Sequence, residues 1–157
     1  MADHAEVIID AMVVACAAIA TGSGDSFTPA QVERFDRYTS ERGPLPNIQI
    51  ERANYRKFRG DIGGNWTCDL FVDVTLLVLS DETGTTPTDK QISIASSDVE
   101  NAVIAMDYEA LKANLAGIES TPMIKETEED PDDGIIITFQ FQYKLQFADL
   151  TNSIDPF

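Results

Sequence analysis

A strictly alternating run near the C-terminus constrains the fold of this chain more than any other feature. From Gly134 to Phe147 every second side chain is apolar, and most of the residues between them are polar. The apolar series consists of Ile135, Ile137, Phe139, Phe141, Tyr143, Leu145 and Phe147. Because successive side chains of a strand point to opposite faces, the run predicts a strand with one apolar face. Its fourteen residues are about twice a typical strand, and such a strand often bends or serves a neighbouring subunit.

Two further segments carry strand patterns. Residues 66–79 alternate with Leu70, Val72, Val74, Leu76 and Val78 on one face, while the other face is half apolar. This pattern is typical of a central strand that is covered on both sides near its end. A shorter alternation, Ile48 to Glu51, follows a Gly-Pro-Leu-Pro stretch and predicts another strand.

Helical spacing appears in two places. Residues 3–20 predict a helix that Asp3 caps. The apolar stripe that is expected to pack on the sheet consists of Val7, Ile8, Ala11, Val14, Ala15 and Ala18. Residues 89–106 predict the second principal helix. Thr28 to Tyr38 is expected to form a short helical stretch, with proline in its first turn.

The region between the second helix and the last strand predicts a β-hairpin. Asp107 is expected to cap a short helical turn that Gly117 ends, and residues 123–128 are expected to form a strand. Residues 131–134, Pro-Asp-Asp-Gly, then predict the turn into the last strand.

These elements predict an α+β fold: a mainly antiparallel sheet with two principal helices packed against it and a long C-terminal β-hairpin. The length of 157 residues fits one domain, which we place at residues 1–150, with a short polar tail at residues 151–157.

The charge of the chain is large and unevenly distributed. The net charge is −16, which argues against a general nucleic-acid binder and against adsorption to an anionic membrane. Residues 34–59 nevertheless hold seven of the eleven basic residues and only three acids, so this segment carries +4 and the remainder −20. A self-associating protein could use this asymmetry head to tail, and the alternative is a solvated basic loop.

No residue pattern predicts catalysis, a cofactor or a metal ion, and we expect a protein that is not an enzyme. The only histidine is His4, near the N-terminus. A catalytic base must be held in a cleft beside its nucleophile, and we do not expect a cleft at this position. The acidic stretch from Glu126 to Asp133 lacks the ligand spacing of an EF-hand loop and is expected to be a solvated hairpin tip. Cys16 and Cys68 lack the spacing of a metal site and are expected to be unpaired thiols.

The apolar run from Val7 to Ala20 does not fit a signal peptide or a membrane span. Acidic residues precede it, Asp10 interrupts it, and it is too short to cross a bilayer. We therefore expect a protein made in a cytoplasm, with no membrane partner.

The segment Tyr55-Arg-Lys-Phe-Arg59 interleaves aromatic and cationic residues. Both a nucleic-acid platform and the rim of a protein interface have this character. We favour the interface, because the −20 on the rest of the chain repels a duplex at long range.

The arrangement of the whole chain resembles the tail terminator (tail completion) proteins of long-tailed bacteriophages. The likeness covers about residues 4–150 and includes the N-terminal helix, the Leu45–Ile50 entry to the first strand and Phe71-Val-Asp-Val-Thr-Leu-Leu-Val-Leu79. It continues through the helix ending Val-Glu-Asn-Ala-Val-Ile-Ala-Met106 and the acidic turn to Phe139-Gln-Phe-Gln-Tyr-Lys-Leu-Gln-Phe147.

The resemblance implies a structural virion protein. Such proteins form a ring, usually a hexamer, on the head-proximal end of the tail tube, where the ring stops tube growth and joins the head connector. The expected partners are copies of this chain, the tail tube protein and connector or neck proteins, with DNA passing through the lumen without specific binding. The expected location is the virion tail after assembly in the host cytoplasm.

The candidate site residues are therefore surface residues of a subunit interface. Four cations are predicted to meet an acidic neighbour: Arg52, Arg56, Lys57 and Arg59. Five acids are candidates for that neighbour or for the lumen: Glu126, Glu128, Asp130, Asp132 and Asp133. The alternatives are another tail or neck component, such as a tube or head-closure protein, and a monomeric ligand-binding or enzymatic α+β domain.

Overall fold

A computed structural model describes residues 3–34, 44–59, 65–78, 88–123 and 133–146 of the chain. The described elements are, in chain order, α1 (His4–Ala17), a 3₁₀ turn (Thr21–Ser23), β1 (Gln31–Arg34), β2 (Asn47–Arg59), β3 (Asn65–Leu77), α2 (Thr88–Ile104), α3 (Tyr108–Leu111), β4 (Asn114–Met123) and β5 (Gly134–Gln146).

The five described strands form one sheet in the order β1-β2-β3-β5-β4. β1 runs parallel to β2, and the other three neighbouring pairs are antiparallel. The predicted mainly antiparallel α+β fold is therefore confirmed. β4 and β5 form the expected C-terminal hairpin, with Met123 opposite Gly134.

The core lies between the helices and one face of the sheet. Its largest fully buried side chains include Ile8 and Met12 of α1, Leu70 of β3, and Phe139 and Phe141 of β5. The two predicted long strands are confirmed, because their predicted apolar faces are the ones that become buried. Burial of these side chains supplies the main stabilisation of the fold, about 1.5–3 kcal/mol for each large residue.

The predicted stripe of α1 is wrong, although the helix and its cap are correct. Asp3 accepts a hydrogen bond from the backbone N–H of Ala5 at 2.9 Å. Of the predicted set only Ile8 is buried, and the helix buries Ala5, Ile9, Met12 and Cys16 with it. Both sets follow helical spacing, because the helix is apolar on nearly every side, so periodicity alone could not select the face that packs on the sheet.

Part of the predicted short helix from Thr28 to Tyr38 is a strand. The backbone N–H of Ala30 donates to the carbonyl of Pro46 at 2.7 Å, and β1 continues this contact as a parallel pair with β2. Pairing with a distant strand has overridden the local signal of proline at a first-turn position. The remainder of the predicted helix lies outside the described residues.

The first strand of the hairpin begins earlier than the sequence predicts. α3 forms as expected, and Asp107 accepts from the N–H of Ala110 at 3.1 Å. Lys112, at a φ of 53°, then turns the chain into β4. Gly117 does not end the helical turn but lies within β4, directly after a shift in the register with β5. The predicted strand at residues 123–128 falls almost entirely outside the described residues, and β4 ends at Met123.

Candidate interaction surface

The sheet face opposite the helices is not covered by any described helix or strand. Half-buried side chains from the three central strands lie along it: Gln49, Glu51, Phe71, Asp73, Thr75, Leu77, Ile136, Thr138 and Gln140. We call these nine residues the open sheet face. It is amphipathic, since apolar side chains alternate with polar ones, and such a surface is suited to a protein interface.

The middle of the open sheet face is acidic. Asp73 of β3 is paired with Glu51 of β2 on one flank and with Thr138 of β5 on the other, all on the same face. The hydroxyl of Thr138 donates to Asp73 Oδ1 at 2.6 Å, which fixes that carboxylate on the sheet. Glu119 of the edge strand lies beside Thr138, so three carboxylates cross the sheet in one row.

One end of the same sheet face carries cations and an exposed aromatic ring. Arg56, Phe58 and Lys144 are all exposed there, and we call these three residues the sheet-end patch. Phe58 and Lys144 are both aligned with Thr67 of β3, and the guanidinium of Arg56 lies 5.4 Å from the centre of the Phe58 ring. The 41% exposure of Phe58 is unusual for so large an apolar side chain.

Arg56 is held in place by a buried carboxylate. Its Nη2 lies 2.9 Å from Asp69 Oδ2, where the arginine side chain is 67% exposed and the aspartate side chain only 3%. Asp69 Oδ1 accepts no hydrogen bond from the described residues. The ion pair therefore depends on Arg56, because removing the cation would leave a desolvated charge on the sheet.

The structure divides the predicted basic residues between the two faces of the sheet. Arg56 lies on the open side, but Arg52 and Lys57 lie on the helix side. Arg52 Nη2 bonds Glu6 Oε1 at 2.8 Å and approaches Asp3 Oδ2 at 3.4 Å, so α1 already supplies its acidic partners. The ammonium of Lys57 lies 5.1 Å from the centre of the Tyr55 ring.

A β-bulge explains this division. The register of β2 with β3 shifts between Arg52 and Asn54, so Ala53 is an extra residue. Arg52 and Arg56 would share a face in a regular strand, but the extra residue reverses the alternation between them. The sequence did not predict that Arg52 and Arg56 lie on opposite faces, because no residue near Ala53 indicates a bulge.

The remaining predicted interface residues are described only in part. Arg59 is the last residue of β2, and its side chain lies outside the described residues. The same holds for four of the five acids: Glu126, Glu128, Asp130 and Asp132. Asp133 is buried at 9% exposure rather than presented at a solvated tip, and its carbonyl accepts from the N–H of Val78 at 3.0 Å.

A buried polar cluster lies at the same end of the sheet, under the start of α1. The Tyr143 hydroxyl donates to the Tyr55 hydroxyl at 2.8 Å, and the His4 ring stacks on Tyr143 at 4.3 Å between ring centres. Tyr55 in turn hydrogen-bonds Cys68. Burial raises the pKa of both tyrosines and of the Cys68 thiol, so these groups stay protonated at neutral pH. A nucleophile needs the opposite shift, so the cluster is suited to structure rather than to reaction.

Several large apolar side chains are exposed on the outer surface of the two long helices. Four of the five exposed large hydrophobic residues in the described part of the chain lie there, and Phe58 is the fifth. They are Val7, Val14, Ile94 and Ile104, which we call the helix patch. Val14 is 71% exposed and Ile104 52%. Large apolar side chains left exposed on a folded domain are candidates for contact with another protein.

Two shallow grooves border the helix patch. One, of about 330 Å³, lies between α1 and α2 and is lined by Ala18, Asp98 and Asn101 among others. The other, of about 240 Å³, lies between α2 and the end of β3 and is lined by Phe27, Val78 and Ile94 among others. Asp25 also lines the first groove; its carboxylate accepts from the backbone N–H of Ala20 at 3.0 Å, and that of Asp98 accepts from the N–H of Ser26 at 2.8 Å.

Within the described ranges, no group of three or more histidine, cysteine, aspartate or glutamate side chains is placed to hold a metal ion. Both cysteines are buried and unpaired. No helix in the described part of the chain is both long and apolar enough to span a bilayer. Comparison with known proteins finds no family model that matches the chain and no curated protein with significant similarity to it.

Proposed function

We propose that this chain is the subunit of an oligomeric ring, most simply a hexamer, that caps the head-proximal end of a phage tail tube and joins it to the head connector. The single observation that carries the proposal is apolar exposure on both sides of the fold. The helix patch lies on one side, and Phe71, Leu77 and Ile136 are half-buried on the other. A subunit that contacts a neighbour on each side requires such a surface.

The order of the described elements supports the same proposal. A helix precedes two long antiparallel strands, a second long helix and a short helical turn follow, and a hairpin ends the described chain. This is the arrangement on which the resemblance to tail terminator proteins rests.

The sheet edges favour association through faces rather than through added strands. The outer strand β4 contains Pro122, which lacks an N–H, and its register is interrupted between Leu115 and Gly117. The opposite edge strand β1 is only four residues long as described. Bulges, prolines and short edge strands all disfavour pairing with a further chain.

The acidity of the chain suits a ring through which DNA moves. Binding to a duplex depends on neutralising phosphates with lysine and arginine, and a net charge of −16 opposes it. The assembled ring is therefore expected to show little retention of duplex DNA even at low salt.

The decisive experiment measures the mass of the purified chain by light scattering and images the same sample in negative stain. A closed ring with a mass several times the 17.2 kDa of the chain is the expected result. Open tubes would assign the chain to a tail tube protein instead. A compact monomer at high concentration, or tight retention of duplex DNA by the ring, would overturn the proposal.

A further inference from the structure

We propose that the helix patch of one copy docks on the sheet-end patch of the next copy, a contact that rests on the ring function proposed above. The occupant of each patch is thus a second copy of this chain. Three properties of the two patches favour this contact: their apolar character, their charge and their position on opposite sides of the fold.

Two residues of the helix patch, Val7 and Val14, belong to a second apolar stripe on α1. Val7, Ala11, Val14 and Ala18 follow one another at intervals of four, three and four residues, and none of them belongs to the buried set of the helix. This spacing places them on one side of the helix. A surface helix usually carries charged residues on its outer side, and α1 has only Asp10 exposed there.

Most charges that flank the two patches are opposite, the exception being Lys90, which is exposed one turn before Ile94. Asp10 lies on the outer side of α1, and Asp98 lines the groove between α1 and α2. Arg56 and Lys144 flank Phe58 in the sheet-end patch. Asp98 is held at the groove by the backbone N–H and the hydroxyl of Ser26, so it is a fixed negative charge. Opposite potentials around two apolar centres favour the contact between patches over the contact of either patch with itself.

The two patches lie on opposite sides of one sheet. Lys144 projects from the face opposite the helices, whereas Tyr143, its neighbour in the chain, stacks on His4 of α1. A contact between opposite sides of identical subunits is heterologous, so it repeats head to tail and either closes into a ring or extends as a filament. A contact between two helix patches would stop at a dimer.

Two single variants distinguish a head-to-tail contact between the two patches from a contact between two helix patches. Val14→Asp places a charge in the helix patch, and Phe58→Asp places one in the sheet-end patch. Both residues are exposed, so neither change empties the core. We expect each variant alone to lose all species above the 17.2 kDa monomer in light scattering. Mixed in equal amounts, they should form a dimer and nothing larger, because only one intact pair of patches remains.

Ser120→Asp is the matched control. Ser120 is exposed on β4, and its partner Ile137 lies on the helix side of the sheet, so the change alters neither the open sheet face nor the sheet-end patch. This variant should assemble like the parent chain, and circular dichroism should show all three variants folded. If circular dichroism shows Val14→Asp unfolded, Val7→Asp, at the same stripe and also exposed, takes its place in the mixture.

The outcomes distinguish this contact from the ring itself. A parent chain that stays monomeric overturns both proposals. A parent ring that survives either patch variant, or a mixture of folded variants that fails to dimerise, overturns the contact alone. Loss of duplex binding in Phe58→Asp without a change in mass would assign the sheet-end patch to nucleic acid and also overturn the contact.

Discussion

The hydroxyl of Tyr143 on β5 donates to the hydroxyl of Tyr55 on β2 at 2.8 Å, across the intervening strand β3. The bond links residues 88 positions apart in the chain. It lies beneath the start of α1, where His4 stacks on Tyr143. The pair therefore ties together the two strands that flank the centre of the sheet and the helix above them.

Replacing either tyrosine tests this link. Tyr143→Phe removes one donor and should lower the free energy of unfolding by about 0.5–1.5 kcal/mol. Tyr55→Phe should cost more, about 1–3 kcal/mol, because the Tyr143 hydroxyl, in a residue only 3% exposed, then loses its acceptor. Urea unfolding followed by circular dichroism measures both, and equal losses would contradict the assigned direction of the bond.

Gly134 is predicted to be intolerant of a side chain. A Cβ at this position would lie 2.3 Å from the carbonyl oxygen of Leu76, a backbone atom that cannot move away without breaking the pairing of β3 with β5. Gly134→Ala should therefore reduce the free energy of unfolding by about 1–3 kcal/mol in chemical denaturation. Gly22→Ala is the matched control, since a Cβ there meets nothing within 4 Å, and a similar loss in both variants would refute the packing argument.

The carboxylate of Glu6 should make the stability of the protein depend on pH in the acid range. The hydrogen bond from Arg34 at 2.7 Å, aided by the charges of Arg34 and Arg52, holds the pKa of Glu6 below its usual 4.5. A carboxyl group with a lowered pKa stabilises the fold above its usual pKa, and this contribution disappears as the pH falls through the folded value.

Glu6→Gln is therefore expected to lower the free energy of unfolding at pH 7, by at most about 1 kcal/mol because these side chains are partly exposed. The difference from the parent chain should shrink as the pH is lowered below 4.5 and as salt is added. Asp10→Asn, on the exposed side of the same helix, serves as the control. A difference that stays constant from pH 7 to pH 3 would show that the ion pairs are not its cause.

Two lysines on opposite faces of the sheet should differ in their effect on assembly. Lys144 belongs to the sheet-end patch, whereas Lys57 lies on the helix side against Tyr55. Lys144→Glu should weaken self-association in light scattering, because it removes a charge that is complementary to the acids beside the helix patch.

Lys57→Glu makes the same charge change and should leave the mass distribution unchanged. Its cost should appear in unfolding instead, since the cation over the Tyr55 ring is lost. Dissociation of both variants to the same extent would indicate that net charge alone, rather than the position of Lys144, governs assembly.

Local patterns in the sequence predicted most of the fold. The alternation along residues 66–79 and 134–147 correctly indicated two long strands and the faces they bury. Alternation of apolar and polar side chains with a period of two is typical of a strand and does not fit a helix. The spacing of α2 and the cap of α3 were equally local, and both were correct.

Tertiary structure decided the features that depend on distant partners. β1 exists because it pairs with β2, and α1 packs through Ile8 and Met12 because of the sheet it meets, although its sequence offered a second stripe. The bulge at Ala53 places Arg52 and Arg56 on opposite faces, which no count along the chain reveals. The sequence alone thus determined the long elements α1, α2, β3 and β5, since local periodicity sets them. Only packing decided which surfaces remain for a neighbour. The face of each helix or strand that is buried in the core determines which face stays exposed.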